Sequence, residues 1–205
     1  MRNIMELGKV YHLYDHGADK NNVFEVADNY RYFLKRYSDF ILPVADTFAY
    51  CLMPNHFHFA VRVKSREKIL QTSREILESW RINENTSNHD LQLRVSKQFA
   101  NLFNSYVQAF NKQQSRRGAL FTGRFCRKPV ENVAYFRDLV CYIHYNPVHH
   151  GFCENFIDWY HSSYTTIVHD DEPTFIRRDL LFKTFEGKEA FIKAHLNWKP
   201  KIMEI

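Results

Sequence analysis

The stretch CLMPNHFHFAV, Cys51 to Val61, sets two imidazoles, His56 and His58, in an otherwise apolar run. Pro54-Asn55 inside it is turn chemistry. The segments on either side, VADTFAYCLM and HFHFAVRV, therefore read as two strands of an antiparallel hairpin. On a strand, residues i and i+2 share a face, so His56 and His58 project together while Phe57 and Phe59 point into the opposite layer. Two imidazoles on one face suit a divalent metal. The plainer alternative is a half-exposed strand that shows both histidines to water. A metal site needs further ligands from elsewhere in the chain.

The remaining segments fall around this hairpin. KVYHLYDHG reads as an earlier strand, Val10 to Tyr14, stopped by Gly17. In DNYRYFLKRYSDF, Tyr30, Phe33, Leu34 and Tyr37 recur at helical spacing behind Asp28 as N-cap, and Pro43 closes the segment. A helical pattern runs from Arg66 to about Trp80, and NENTSNHD is loop-like. Leu91 to Gln113 reads as a long helix with Phe99, Phe103, Tyr106 and Phe110 on one side. GALFTGRFCRKPV suggests two short strands around Thr122-Gly123. Glu131 or Asn132 opens a helix to about Tyr145, ended by Pro147. A short helix is expected at Lys188 to Leu196. The order is that of an α+β sandwich, antiparallel strands covered by helices on one side.

The chain has 205 residues and 45% apolar residues, enough for one domain with a core and against disorder. No apolar run approaches the ~18 residues of a membrane span. The first residues lack the apolar and small-residue signature of a signal peptide. A cytoplasmic protein with no membrane partner is expected. Cys51, Cys126, Cys141 and Cys153 form no C-x-x-C and read as reduced thiols. The net charge of +5 permits nucleic-acid binding without demonstrating it. More telling is SRRGALFTGRFCRKP, where Arg116, Arg117, Arg124, Arg127 and Lys128 are interleaved with Phe121 and Phe125. Cations for phosphates beside aromatics for bases are what single-stranded nucleic acid requires. A solvated hairpin with two core phenylalanines is the alternative.

DLVCYIHYNPVHHG is the second informative stretch. Tyr142 and Asn146 lie four apart, one turn from each other on one helix face. The amide oxygen of Asn146 can act as a ligand and the Tyr142 phenol as a nucleophile. Tyr135, Leu139 and Tyr142 also share helical spacing, so a plain core role for Tyr142 stays open.

Taken together, these residues resemble the single-tyrosine transposases of the HUH superfamily, and within it the REP-associated tyrosine transposases. The resemblance rests on MPNHFHFAV (Met53–Val61), GALFTGRF (Gly118–Phe125) and YIHYNPVHHG (Tyr142–Gly151), supported by YHLYDHGADKNNVF and WYHSSY. It runs in order from about residue 8 to 165. It implies a ferredoxin-like sandwich over residues 1–165 with a helical insertion at about 66–96, followed by a C-terminal helical extension, 166–205. It also implies His56, His58 and Asn146 as ligands of Mg²⁺ or Mn²⁺, and Tyr142 as nucleophile. The expected activity is metal-dependent cleavage and rejoining of single-stranded hairpin DNA through a 5′-phosphotyrosine intermediate, that is, DNA transposition. Arg116, Arg117, Arg124, Arg127, Lys128, Phe121 and His149 are the expected DNA contacts.

Asp15-His16 and His149-His150 depart from the basic residues common in the family. The resemblance leaves the 66–96 segment, the DNA sequence, the proton acceptor for Tyr142 and the choice between homodimer and monomer unassigned. Two other readings compete: a non-catalytic, domesticated DNA- or RNA-binding regulator, and a replication-initiator or relaxase type of HUH endonuclease. Chain order speaks against a relaxase. The transposase reading requires Tyr142 and Asn146 to approach the His56/His58 face.

Overall fold

In the computed structural model, which describes residues 4–123, 125–169 and 171–199, the chain begins with strand β1 (Val10–His16) and helix α1 (Ala27–Ile41). The hairpin β2 (Ala45–Met53) and β3 (His56–Val63) follows. Helices α2 (Arg66–Leu70), α3 (Arg74–Trp80) and α4 (Asn88–Gln113) lead to β4 (Cys126–Pro129) and α5 (Val133–His149). Short helices α6 (Tyr164–Val168), α7 (Arg178–Phe185) and α8 (Lys188–Asn197) complete it. The four strands are antiparallel in the order β2-β3-β1-β4. A β-α-β-β-α-β succession with that order is the ferredoxin-like arrangement.

The hairpin forms as its turn residues require, with Met53 paired to His56 across Pro54-Asn55. Alternation on β3 does the rest. Phe57 and Phe59 face α1 and α4: Phe33 lies 5.6 Å from Phe57, Tyr37 4.5 Å from Phe59, and Phe103 5.5 Å from Phe57, between ring centroids. His56 and His58 face the other way, toward α5, which also packs Phe136 on Phe48 at 5.0 Å. Helices therefore cover both faces, not one. The third helix is needed because α1 and α4 already fill the phenylalanine layer, and the histidine face would otherwise stand in water.

Several boundaries differ from expectation for local reasons. Helix α1 starts before Asp28, because the Asn29 side chain reaches back to accept from the amides of Glu25 and Val26. The 66–80 segment breaks into two helices, and α4 begins at Asn88 because Ser87 caps it, accepting from the Asp90 amide. The two strands expected around Thr122-Gly123 do not form a hairpin. Among the described residues there only β4 is a strand, paired with β1, while Phe121 makes a single bridge to Gly17 and turns its ring onto Phe57 and Phe103. Pro147 does not end α5 but sits in its last turn, where its missing N–H removes one bond and the next turn still closes through the His150 amide to the Asn146 carbonyl.

Asn132 is the N-cap of α5, its side-chain oxygen accepting from the Tyr135 amide at 2.8 Å. Asn132→Ala is expected to cost about 1 kcal/mol in urea unfolding, the usual loss for an uncapped helix start. The C-terminal extension lies on the same body. Ile176 bridges Thr47, Arg177 pairs with Asp46 at 3.0 Å, and His195 of α8 meets His144 of α5 at 2.8 Å. The four cysteines are free thiols. Among the described residues no helix is long and apolar enough to cross a membrane.

Candidate active site

The face of the sheet under α5 carries three rows of residues fixed by strand register. His12 stands opposite Ala60, Tyr14 opposite His58 and His16 opposite His56, so β1 and β3 present their histidines to the same side. Helix α5 lowers Tyr142 and Asn146 onto them. The Tyr142 ring lies 5.4 Å from His58, and Asn146 Oδ1 lies 3.0 Å from His56 Nε2. All four residues predicted for the catalytic centre thus meet, although the histidine and asparagine are 90 positions apart.

The site is dry. His58 is 1% and Asn146 0% exposed, and Tyr142 only 5%. Burial, with Lys128 a smaller cause, pushes His12 down to about 3. Burial likewise takes His56 to about 4, the nearby side-chain oxygen of Asn146 opposing. For His58, burial and then the neighbouring imidazoles of His12 and His56 hold the pKa well below its ordinary value. The imidazoles are therefore neutral at pH 7, the state in which ring nitrogens can act as ligands. Burial raises the Tyr142 phenol, with the neighbouring Asn146 side chain a smaller opposing influence.

The donor set suits a cation. His56 Nδ1 lies 2.7 Å from Asn55 Oδ1. If that nitrogen carries the proton, its Nε2 lone pair faces the carbonyl oxygen of Asn146, two electron-pair donors converging on one point. Meanwhile Asn146 Nδ2 is buried with no partner. Among the described residues no group of three or more His, Cys, Asp and Glu side chains is placed to hold a metal ion. A ring N–H donated to a carbonyl is the usual support behind a metal-bound histidine.

His12 escaped the sequence reading. Its Nε2 sits 2.8 Å from His58 Nδ1, both buried, so it fixes the His58 ring and leaves the far nitrogen toward the site. The signal was present in HLYDH, where His12, Tyr14 and His16 alternate as His56 and His58 do. His150 is a second addition, its ring 4.6 Å from His56, whereas His149 is exposed and touches His150. His144 points away from the site, to His195 and Ser163 Oγ, each at 2.8 Å.

The expected DNA contacts are dispersed. Lys128 is exposed on the site face, paired with His12 across β1 and β4. Arg127 faces the α4 side, 5.4 Å over Phe125. Arg116 is bound to the Ala119 carbonyl of its own turn, Arg117 is exposed, and Phe121 is 7% exposed within the core. Arg124 lies outside the described residues.

The chain has likenesses to known proteins in sequence and in fold. A Haemophilus influenzae protein named "Putative REP-associated tyrosine transposase" is 26% identical over 122 residues, which is 58% of each chain. A solved structure of a REP-associated tyrosine transposase bound to a REP hairpin superimposes with a TM-score of 0.54, at 15% identity, over 100% of this chain and 93% of that one. The chain is similar to REP-associated tyrosine transposases in sequence and in fold. No family model matches it. The chain spans just over half the length of that curated relative.

Proposed function

We propose that the protein is a metal-dependent transposase of single-stranded hairpin DNA, with Tyr142 as nucleophile and His56, His58 and Asn146 as ligands of Mg²⁺ or Mn²⁺. The observation that carries the reading is the convergence of Tyr142 and Asn146 on the His56/His58 face. A bound divalent ion supplies Lewis acidity to a phosphodiester oxygen. The chain's own residues do the rest. The Tyr142 oxygen attacks phosphorus, the P–O3′ bond breaks, and the phenol proton leaves as the 3′-hydroxyl is released. The DNA 5′-phosphate is then held as a tyrosine ester, and attack by a 3′-hydroxyl reverses the step without a nucleotide cofactor. Dry walls keep water from competing for that ester. Because burial raises the Tyr142 pKa, the phenol keeps its proton until substrate is in place.

Incubation with a hairpin-bearing single strand and Mn²⁺ is expected to give a DNA–protein adduct that survives denaturation and fails to form in EDTA. Salt-sensitive DNA binding with no adduct under any divalent ion would instead establish the non-catalytic binding module. His12 is a positioning residue in this scheme. His12→Phe is expected to weaken Mn²⁺ affinity, measured calorimetrically, by about 10- to 100-fold, with recovery in His12→Gln, which retains a hydrogen-bonding side chain. Unchanged affinity in His12→Phe would remove it from that role.

A further inference from the structure

The segment 66–96 forms part of the wall of a cleft on the sheet face opposite the candidate active site. The cleft encloses about 960 Å³ between α4, the loop before it and the residues Phe121, Gly123, Phe125 and Arg127. That is the upper end of small-molecule sites, which run to ~1,000 Å³. Its lining brings together Arg81, Arg94, Lys97 and Arg127, against two carboxylates that are already engaged. Asp15 accepts from the His16 amide at 2.8 Å and from the Thr122 hydroxyl at 3.2 Å, and Asp90 accepts from the Ser87 hydroxyl at 2.7 Å. Among the described residues, no carboxylate pairs with Arg81, Arg94 or Lys97.

Half-buried Phe103 and Phe125 lie in the same wall, 5.0 Å apart, and Ser96 Oγ is buried there without a partner. The rim is held in shape, since Arg66 binds the carbonyls of Glu84 and Thr86. The cations of Arg81, Arg94 and Lys97, tilted aromatic rings and an unsatisfied hydroxyl in one concave surface favour a ligand with both phosphates and bases. An acidic peptide would use the cations and leave the rings idle.

We propose that this cleft takes a single-stranded stretch of the DNA on which the active site acts, with phosphates at Arg81, Arg94 and Lys97 and a base stacked on Phe125. The proposal rests on the DNA reading above and gives the 66–96 segment a task. The two sites lie back to back across β1. Asp15 is in the cleft wall, while its neighbour His16 stands on the other face, 5.4 Å from His56.

The test is fluorescence anisotropy with a ten-nucleotide oligothymidylate, which has no hairpin and so reports on the cleft independently of strand cleavage. Wild type is expected to bind it with affinity falling as salt rises. Arg94→Gln/Lys97→Gln is expected to bind at least tenfold more weakly, with the log–log salt slope reduced by about 1.4, the value for two phosphate contacts on a single strand. Phe125→Leu, which keeps an apolar side chain, is expected to weaken binding about fivefold through lost stacking. Unaltered circular dichroism shows that the variants are folded. Equal binding by wild type and the double variant overturns the proposal. So does absence of oligothymidylate binding, or equal displacement by polyglutamate. Loss of the adduct with oligothymidylate binding intact would instead overturn strand transfer alone.

Discussion

Tyr142→Phe is expected to abolish covalent capture of hairpin DNA, by on the order of 10⁴-fold or more, because the substitution removes the only atom that forms the new bond to phosphorus. The ring itself remains. It packs edge-on against His58 at 5.4 Å and near Trp198 at 6.4 Å, so the fold loses little. Hairpin affinity is therefore expected to stay within about threefold, since a phosphate-dominated interface does not depend on one neutral hydroxyl. Denaturing electrophoresis for the adduct and anisotropy for binding separate the two quantities. An adduct at wild-type level in Tyr142→Phe would move the nucleophile elsewhere. Tyr14 is the first alternative, because it faces His58 at 5.9 Å from the neighbouring strand. Tyr14→Phe then decides between them.

A second large effect concerns acid. His144 and His195 are buried against each other at 2.8 Å, and His144 turns to Ser163 rather than to the candidate active site. Burial drives His195 down to about 4, and burial together with its partner holds His144 well below the ordinary value. The sign follows from proton uptake. Below the unfolded value of 6.5 the unfolded chain binds protons that the native state refuses, so stability is intact above pH 6.5 and falls as pH drops toward 4. Between pH 7 and pH 5 each such imidazole costs about 2 kcal/mol, a figure set by the unfolded value because the folded ring stays neutral throughout. The pair thus removes about 4 kcal/mol, a large part of a typical ~5–15 kcal/mol stability. Urea unfolding is expected to show at least that loss, with His12, His56 and His58 adding to it in the same direction, and His195→Gln is expected to reduce it by about 2 kcal/mol. A stability independent of pH across this window would mean that the pair is not held neutral.

The hairpin, the alternation on β3 and the long α4 were legible because each is written in local chemistry: a Pro-Asn turn, a period of two, a period near four. The same logic carried Tyr142 and Asn146, one turn apart on a helix. Other features were hidden for physical reasons. Pro147 reads as a stop, yet a proline in a last turn removes only one hydrogen bond. Phe121 reads as a strand residue or a base-stacking ring, yet the phenylalanine layer of Phe57 and Phe103 claims it. Asn29 could not be told from Asp28 as the group that starts α1, because the choice turns on where the preceding backbone lies.

From sequence alone, His56 and His58 had to share one face, and Tyr142 and Asn146 one side of a helix, since strand and helix periodicities are properties of the backbone. That these two halves meet was decided only by the tertiary structure, because nothing local specifies which sheet face α5 covers once α1 and α4 have taken the other. The same holds for His12: its alternation was visible, but its 2.8 Å contact with His58 exists only because β1 pairs beside β3 in this register.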